Sequence, residues 1–109
     1  MNEFIVVYVT VGSSAEAERL SHALVEEKLA ACVNRVRAVK SVYRWEGKIE
    51  VSEEELLIIK TKRDLFDRLT RRVGELHSYT VPEVIALPIV EGSPAYLQWL
   101  GEQVGGNGR

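Results

Sequence analysis

The chain has 109 residues, 46% of them hydrophobic, and a formal net charge of −2. This fits one domain with its own core and argues against disorder, and the slight acidity does not favour non-specific nucleic-acid binding. Cys32 is the only cysteine, which excludes an internal disulfide and suits a reducing compartment. No apolar run approaches the ~20 residues of a membrane helix. Met1-Asn2-Glu3 lacks the basic start of a signal peptide. A cytoplasmic protein that avoids membranes is therefore expected. Charged residues make up 28%, which is compatible with a heat-stable source.

Phe4–Val11 is a near-continuous apolar run and reads as a strand covered on both faces. Gly12 breaks it. Ser13 and Glu16 have capping-box spacing, and a helix follows to about Lys28. Ala17, Leu20 and Leu24 form its apolar stripe, with Glu16 and Glu18 facing water.

Cys32–Lys62 reads as two long strands folded on a turn at Glu46-Gly47-Lys48. At about 3.3 Å per residue each arm would reach roughly 45 Å. A compact domain of this size has a radius of gyration near ~13 Å. Either the tip projects beyond the domain, or a bulge near Lys40-Ser41 folds the arm back. A projecting tip that carries Tyr43 and Trp45 needs cover, and a second copy of the chain is the simplest source.

Thr61 and Asp64 repeat the capping-box spacing before a second helix that ends near Leu76. Leu65, Leu69, Val73 and Leu76 are its buried stripe. Val81–Val90 is a last strand, and its two prolines call for an edge position or bulges. Ser93-Pro94 starts a short helix that carries Tyr96, Leu97, Trp99 and Leu100. Residues 1–104 are expected to form a single domain and 105–109 a flexible tail.

The order strand, helix, strand, strand, helix, strand, helix is that of an α+β, ferredoxin-like antiparallel sheet with a long central hairpin and an extra C-terminal helix. Strand side chains alternate between faces. Phe4–Val9, Leu56–Ile59 and Val84–Leu87 are apolar at successive positions, so both sheet faces are apolar. Two helices cover only one, which argues for a homo-oligomer packed sheet against sheet.

Few residues carry chemistry. Cys32 is either a small core residue or a soft thiolate ligand for copper or zinc. His77 is either a polar loop residue or, with Tyr79 and Glu83, part of a site for a metal or a small anion. Lys60 either snorkels or faces a pocket. Glu53-Glu54-Glu55 reads as a solvated strand segment. Tyr43, Trp45 and Trp99 read as interface or core residues rather than stacking platforms. No nucleophile–base arrangement and no strong metal-ligand spacing can be found, so no enzyme is expected.

Five stretches together resemble the CutA divalent-cation-tolerance family. They are Leu29-Ala30-Ala31-Cys32-Val33-Asn34, Ser41-Val42-Tyr43-Arg44-Trp45-Glu46-Gly47-Lys48, Ile59-Lys60-Thr61, His77-Ser78-Tyr79-Thr80-Val81-Pro82-Glu83 and Tyr96-Leu97-Gln98-Trp99-Leu100. The resemblance implies a ferredoxin-like fold and a homotrimer whose hairpins exchange edges, much like the trimeric PII signal proteins. It implies a role in tolerance to copper and other divalent cations. Animal relatives are linked to acetylcholinesterase anchoring, and no enzyme activity is established for the family. Some bacterial members carry a first-strand cysteine and a double histidine as proposed copper ligands. Here those positions hold Val9 and Leu76, with only His77 kept, and Ser78 stands where proline is usual. Cys32 matches the family's other cysteine.

The resulting expectation is a homotrimer, possessing no catalysis, that binds copper or another divalent metal weakly through His77 and Cys32. Its trimer interface would use Tyr43, Trp45 and Trp99. The rivals are a PII-like signalling trimer, holding a small anionic ligand with Lys60, Tyr79 and Glu83, and an assembly scaffold.

Overall fold

A computed structural model describes residues 3–105. The elements are β1 (Phe4–Val11), α1 (Ser14–Glu26), β2 (Cys32–Trp45), β3 (Lys48–Lys62), a 3-10 turn (Arg63–Leu65), α2 (Phe66–Leu76), β4 (Ile85–Pro88) and α3 (Pro94–Gln103). One antiparallel sheet has the order β2-β3-β1-β4. This is the ferredoxin-like arrangement expected from the element order.

Alternation along β1 sets the layers. Ile5, Val7, Val9 and Val11 point into the core with Leu57 and Ile59 of β3. Ala17, Leu20 and Leu24 of α1 and Leu69 and Val73 of α2 cover that face. Val6, Tyr8, Leu56 and Ile58 point the other way and are half-buried, and Ile85 and Leu87 of β4 join them on that face. α3 packs Leu100 and Val104 against Ala31 and Leu65, with Phe4 alongside. The middle of the second face stays open within one chain.

The hairpin is longer than its parent sheet. β1 pairs with β3 only from Glu55 to Lys62. Beyond that point Val39–Trp45 and Lys48–Glu54 pair with each other alone. The molecule measures 44 × 27 × 22 Å, so the outer hairpin projects. A bulge is present, but at Arg37-Ala38, which together oppose Glu55, and not at Lys40-Ser41. Ala38 takes φ 61° there. The bulge does not fold the arm back.

Several local expectations change. α1 ends at Glu26, and Lys28 adopts φ 61°. Thr61 does not cap α2. It lies inside β3, fully buried, and its hydroxyl donates to the Leu29 carbonyl at 2.7 Å. The 3-10 turn starts α2 instead, without a side-chain cap. β4 is an edge strand, shorter than expected at Ile85–Pro88, because Pro88 cannot donate to a ladder and the stretch after Pro82 stays irregular. Ser13 and Ser93 cap α1 and α3 as the sequence predicts, accepting from Glu16 N at 3.2 Å and Tyr96 N at 3.3 Å. Of the expected tail, only Gly105 is described; its N–H donates to the Lys28 carbonyl at 2.9 Å. The rest lies outside the described residues.

Arg35 and Ser14 tie the sheet to the start of α1. Arg35 Nε donates to Glu55 Oε2 at 2.5 Å, and Ser14 Oγ donates to Glu55 Oε1 at 2.9 Å. Glu55 is only 4% exposed, which corrects the view of a solvated run. Its hydrogen bond from Arg35 holds its carboxyl below the usual range, against the opposing effect of burial.

Two outcomes follow from this packing. Thr61→Val leaves the buried Leu29 carbonyl without its hydroxyl partner and is expected to cost about 1–3 kcal/mol in urea unfolding. Thr61→Ser should recover most of that loss. Glu55 has a folded pKa below its unfolded one, so its contribution is present above the ordinary carboxylate value and lost as pH falls through the folded value. Glu55→Gln should therefore flatten the acid side of the stability–pH curve; an unchanged acid limb would contradict the Arg35 linkage.

Candidate functional site

The end of α2 and the end of β1 meet at His77. Its backbone N–H closes α2 by donating to the Val73 carbonyl at 2.8 Å. Its side chain is fully buried, not a surface loop group. Nε2 lies 2.7 Å from the Thr10 carbonyl, which can only accept, so Nε2 carries the proton. Nδ1 then accepts from Tyr79 N at 3.0 Å. Both ring nitrogens are thus occupied within the chain.

Glu16 completes this corner. It does not face water. It is buried and accepts from Ser78 N at 2.8 Å and Ser78 Oγ at 3.0 Å, with His77 Nδ1 3.3 Å away. The same residue gives its backbone N–H to the Ser13 cap, so one turn of α1 anchors the α2–β4 connection.

Tyr79 carries the corner towards the hairpin. Its ring lies 4.6 Å from that of His77, tilted by 47°. Its hydroxyl donates to Glu54 Oε2 at 2.7 Å. Partial burial, then the bond to Glu54 and that residue's charge, push the phenol well above its ordinary pKa. Gly12 makes room: a Cβ there would stand 3.2 Å from the Tyr79 hydroxyl.

Beyond Tyr79 lies a cleft of about 690 Å³ between the α2–β4 connection and the outer hairpin. Tyr43, Trp45, Glu54, Tyr79 and Glu83 line it, among others. Tyr43 is fixed there by a 2.7 Å hydrogen bond between its hydroxyl and Ser52 Oγ.

Lys60 is elsewhere. It pairs across the sheet with Cys32 and Val6, and its ammonium donates to Asn34 Oδ1. Six residues of β3 separate it from Glu54, about 20 Å of strand. Lys60 therefore does not converge with Tyr79 and Glu83. Cys32 is half-buried beside it, with Sγ 3.9 Å from Asn34 Oδ1. Tyr96 is close enough for the thiol to raise its pKa, after the larger effect of burial. Tyr96 in turn packs on Trp99 with ring centroids 5.5 Å apart.

Cys32 and His77 are not neighbours within one chain. Cys32 is level with Val6 of β1, whereas His77 meets Thr10, about 13 Å further along the sheet. Among the described residues, no three His, Cys, Asp or Glu side chains converge to hold a metal ion. Nor is any helix of the described residues long and apolar enough to cross a membrane.

Sequence reasoning missed Glu16 and Glu54 as site residues. One signal was available for Glu54. Three consecutive strand carboxylates cannot all face one solvated side, so Glu54 and Glu55 had to point to opposite faces.

The family model of the CutA1 divalent ion tolerance protein matches residues 5–103. The chain is 56% identical over 96 residues to the chloroplastic Protein CutA of Arabidopsis thaliana, covering 88% of this chain and 53% of that one. Thus it spans about half the length of that plant relative. It is 51% identical over 100 residues to the divalent-cation tolerance protein CutA of Thermus thermophilus, covering 92% of this chain and 97% of that one. The crystal structure of CutA1 from Oryza sativa superposes with a TM-score of 0.93 at 52% identity, over 94% of each chain. With the same sheet, the same helices and a match over nearly the whole length, the chain belongs to the CutA1 divalent ion tolerance family.

Proposed function

We propose that this chain acts as a cytoplasmic homotrimer without catalytic activity that serves divalent-cation tolerance and binds copper, or another divalent metal, weakly. The family match over residues 5–103 carries this reading. Two features of the fold support the assembly. The second sheet face leaves Ile85 and Leu87 about half exposed. The projecting hairpin leaves Tyr43 and Trp45 at 41% and 52% exposure, with Trp99 on α3 at 42%. Apolar surface of this extent is favourably removed from water by a second copy.

The residues of one chain do not fit a metal centre, because His77 has both nitrogens engaged and Cys32 lies at the other end of the sheet. Any site would have to be completed between copies, with His77 giving up a hydrogen bond to ligate. Competition of that kind supports weak rather than tight binding. The anionic-ligand alternative draws less support, since Lys60 is remote from Tyr79 and Glu83.

Light scattering should report three times the 12.3 kDa chain mass at micromolar concentration. Trp45→Glu, at the exposed tip, should move the particle towards the single-chain mass with the circular dichroism of the fold retained. A stable single-chain particle for the wild type would end the trimer reading. Copper(II) calorimetry should give small heats that shrink in Cys32→Ser and His77→Ala. Equal heats in all three proteins would remove both residues from any metal role.

A further inference from the structure

His77 and Glu16 meet inside the fold. The His77 side chain is fully buried and that of Glu16 is 7% exposed, so one chain encloses the pair whatever a second copy covers. Nδ1, the ring nitrogen with the lone pair, stands 3.3 Å from Glu16 Oε2. Imidazole nitrogen and carboxylate oxygen are both donors to a borderline divalent ion such as copper(II) or zinc. Here backbone groups hold them instead. Tyr79 N donates to Nδ1 at 3.0 Å, and Ser78 N donates to Glu16 Oε2 at 2.8 Å. Ser78 Oγ donates to the other carboxylate oxygen at 3.0 Å. Two successive N–H groups of the α2–β4 connection thus engage both candidate ligand atoms. All three of these donors are neutral, and a carboxylate this far from water gains from a positive charge.

We propose that His77 Nδ1 and Glu16 are a plugged ligand pair, for which a divalent ion competes with the Ser78–Tyr79 backbone. This rests on the reading of weak divalent-metal binding above. It adds Glu16 as the companion of His77 and the α2–β4 connection as the competitor. The competition reaches beyond the pair. Tyr79 also carries the strut to the outer hairpin, donating its hydroxyl to Glu54 Oε2 at 2.7 Å. Its ring leans on that of His77, with centroids 4.6 Å apart. Releasing Tyr79 N therefore loosens the residue that ties the connection to the hairpin. Such coupling is reciprocal: the ion weakens the tie, and the tie weakens the ion by the same factor. Among the described residues no third His, Cys, Asp or Glu completes the pair. Two donors that must first be unplugged account for binding that is weak.

Copper(II) chloride added to the whole protein, followed by calorimetry and by hydrogen exchange at the Tyr79 amide, tests the plug. With copper bound, that amide should exchange about tenfold faster or more, having lost its acceptor. Glu16→Gln should reduce the copper heat. Tyr79→Phe deletes the bond to Glu54 and should tighten copper about threefold or more, because the plug is then easier to lift. The second variant leaves the buried pair intact and decides the matter should Glu16→Gln misfold. Heat from Tyr79→Phe but none from the wild type also supports the plug. Copper heat with unchanged Tyr79 exchange overturns the plug and leaves weak metal binding standing. So does an affinity indifferent to Tyr79→Phe. No heat from either the wild type or Tyr79→Phe removes the metal reading and the plug with it.

Discussion

The structure depends on a mismatch of lengths. β1 supplies ladder partners to β3 only as far as Glu55, while the hairpin runs on to its turn at Glu46-Gly47. Inside that limit, α1 and α2 cover the core side of β1 and β3, while all four residues of the edge strand β4 stay exposed. Outside it, two strands satisfy each other's backbone on one side and, apart from Glu54 beneath Tyr79, leave their side chains largely exposed. An isolated two-stranded ribbon is marginal in water. The outer hairpin therefore draws its order from whatever lies against it, and within the described residues the Tyr79 corner meets it at Glu54.

That corner is built from the ends of elements. The first turn of α1 gives Glu16, the last residue of α2 leads into His77, the end of β1 gives the Thr10 carbonyl, and β3 gives Glu54. Glu16 accepts from Ser78, His77 joins the Thr10 carbonyl to Tyr79 N, and Glu54 accepts from the Tyr79 hydroxyl. This explains how a histidine that looks like a free ligand in the sequence becomes a structural bracket in the fold. Partial burial, followed by the bond to Glu54, raises the Tyr79 phenol above its ordinary pKa.

Much of the fold was legible because it rests on local pattern. The apolar run Phe4–Val11 as a strand, the apolar stripe of Ala17, Leu20 and Leu24, and the Ser13 and Ser93 caps all read directly into the structure. The hairpin's length left a projecting tip or an arm folded back at a bulge, and the tip projects. What stayed hidden depends on register across the sheet. Thr61 has the spacing of a cap, but its pairing with Ile5 buries it beneath Leu29. Glu16 and Glu54 look solvated in a linear reading, because nothing local says that Ser78 and Tyr79 will arrive above them. Lys60 and Glu83 looked like partners until the ladder set Lys60 against Cys32.

The bulge at Arg37-Ala38 has an effect on aim. In the inner part of β2, even-numbered residues such as Asn34 and Val36 lie opposite Ile58 and Leu56. The extra residue reverses this parity, so that Val39, Ser41, Tyr43 and Trp45 share a side with Glu54 and Ser52. One inserted residue thus works as a phase shifter, turning two aromatic rings from the helical side of the ribbon towards Tyr79. The left-handed backbone of Ala38 is the point at which the ribbon's sidedness is set, and shortening the chain there by one residue would point both rings away from the acids they now face.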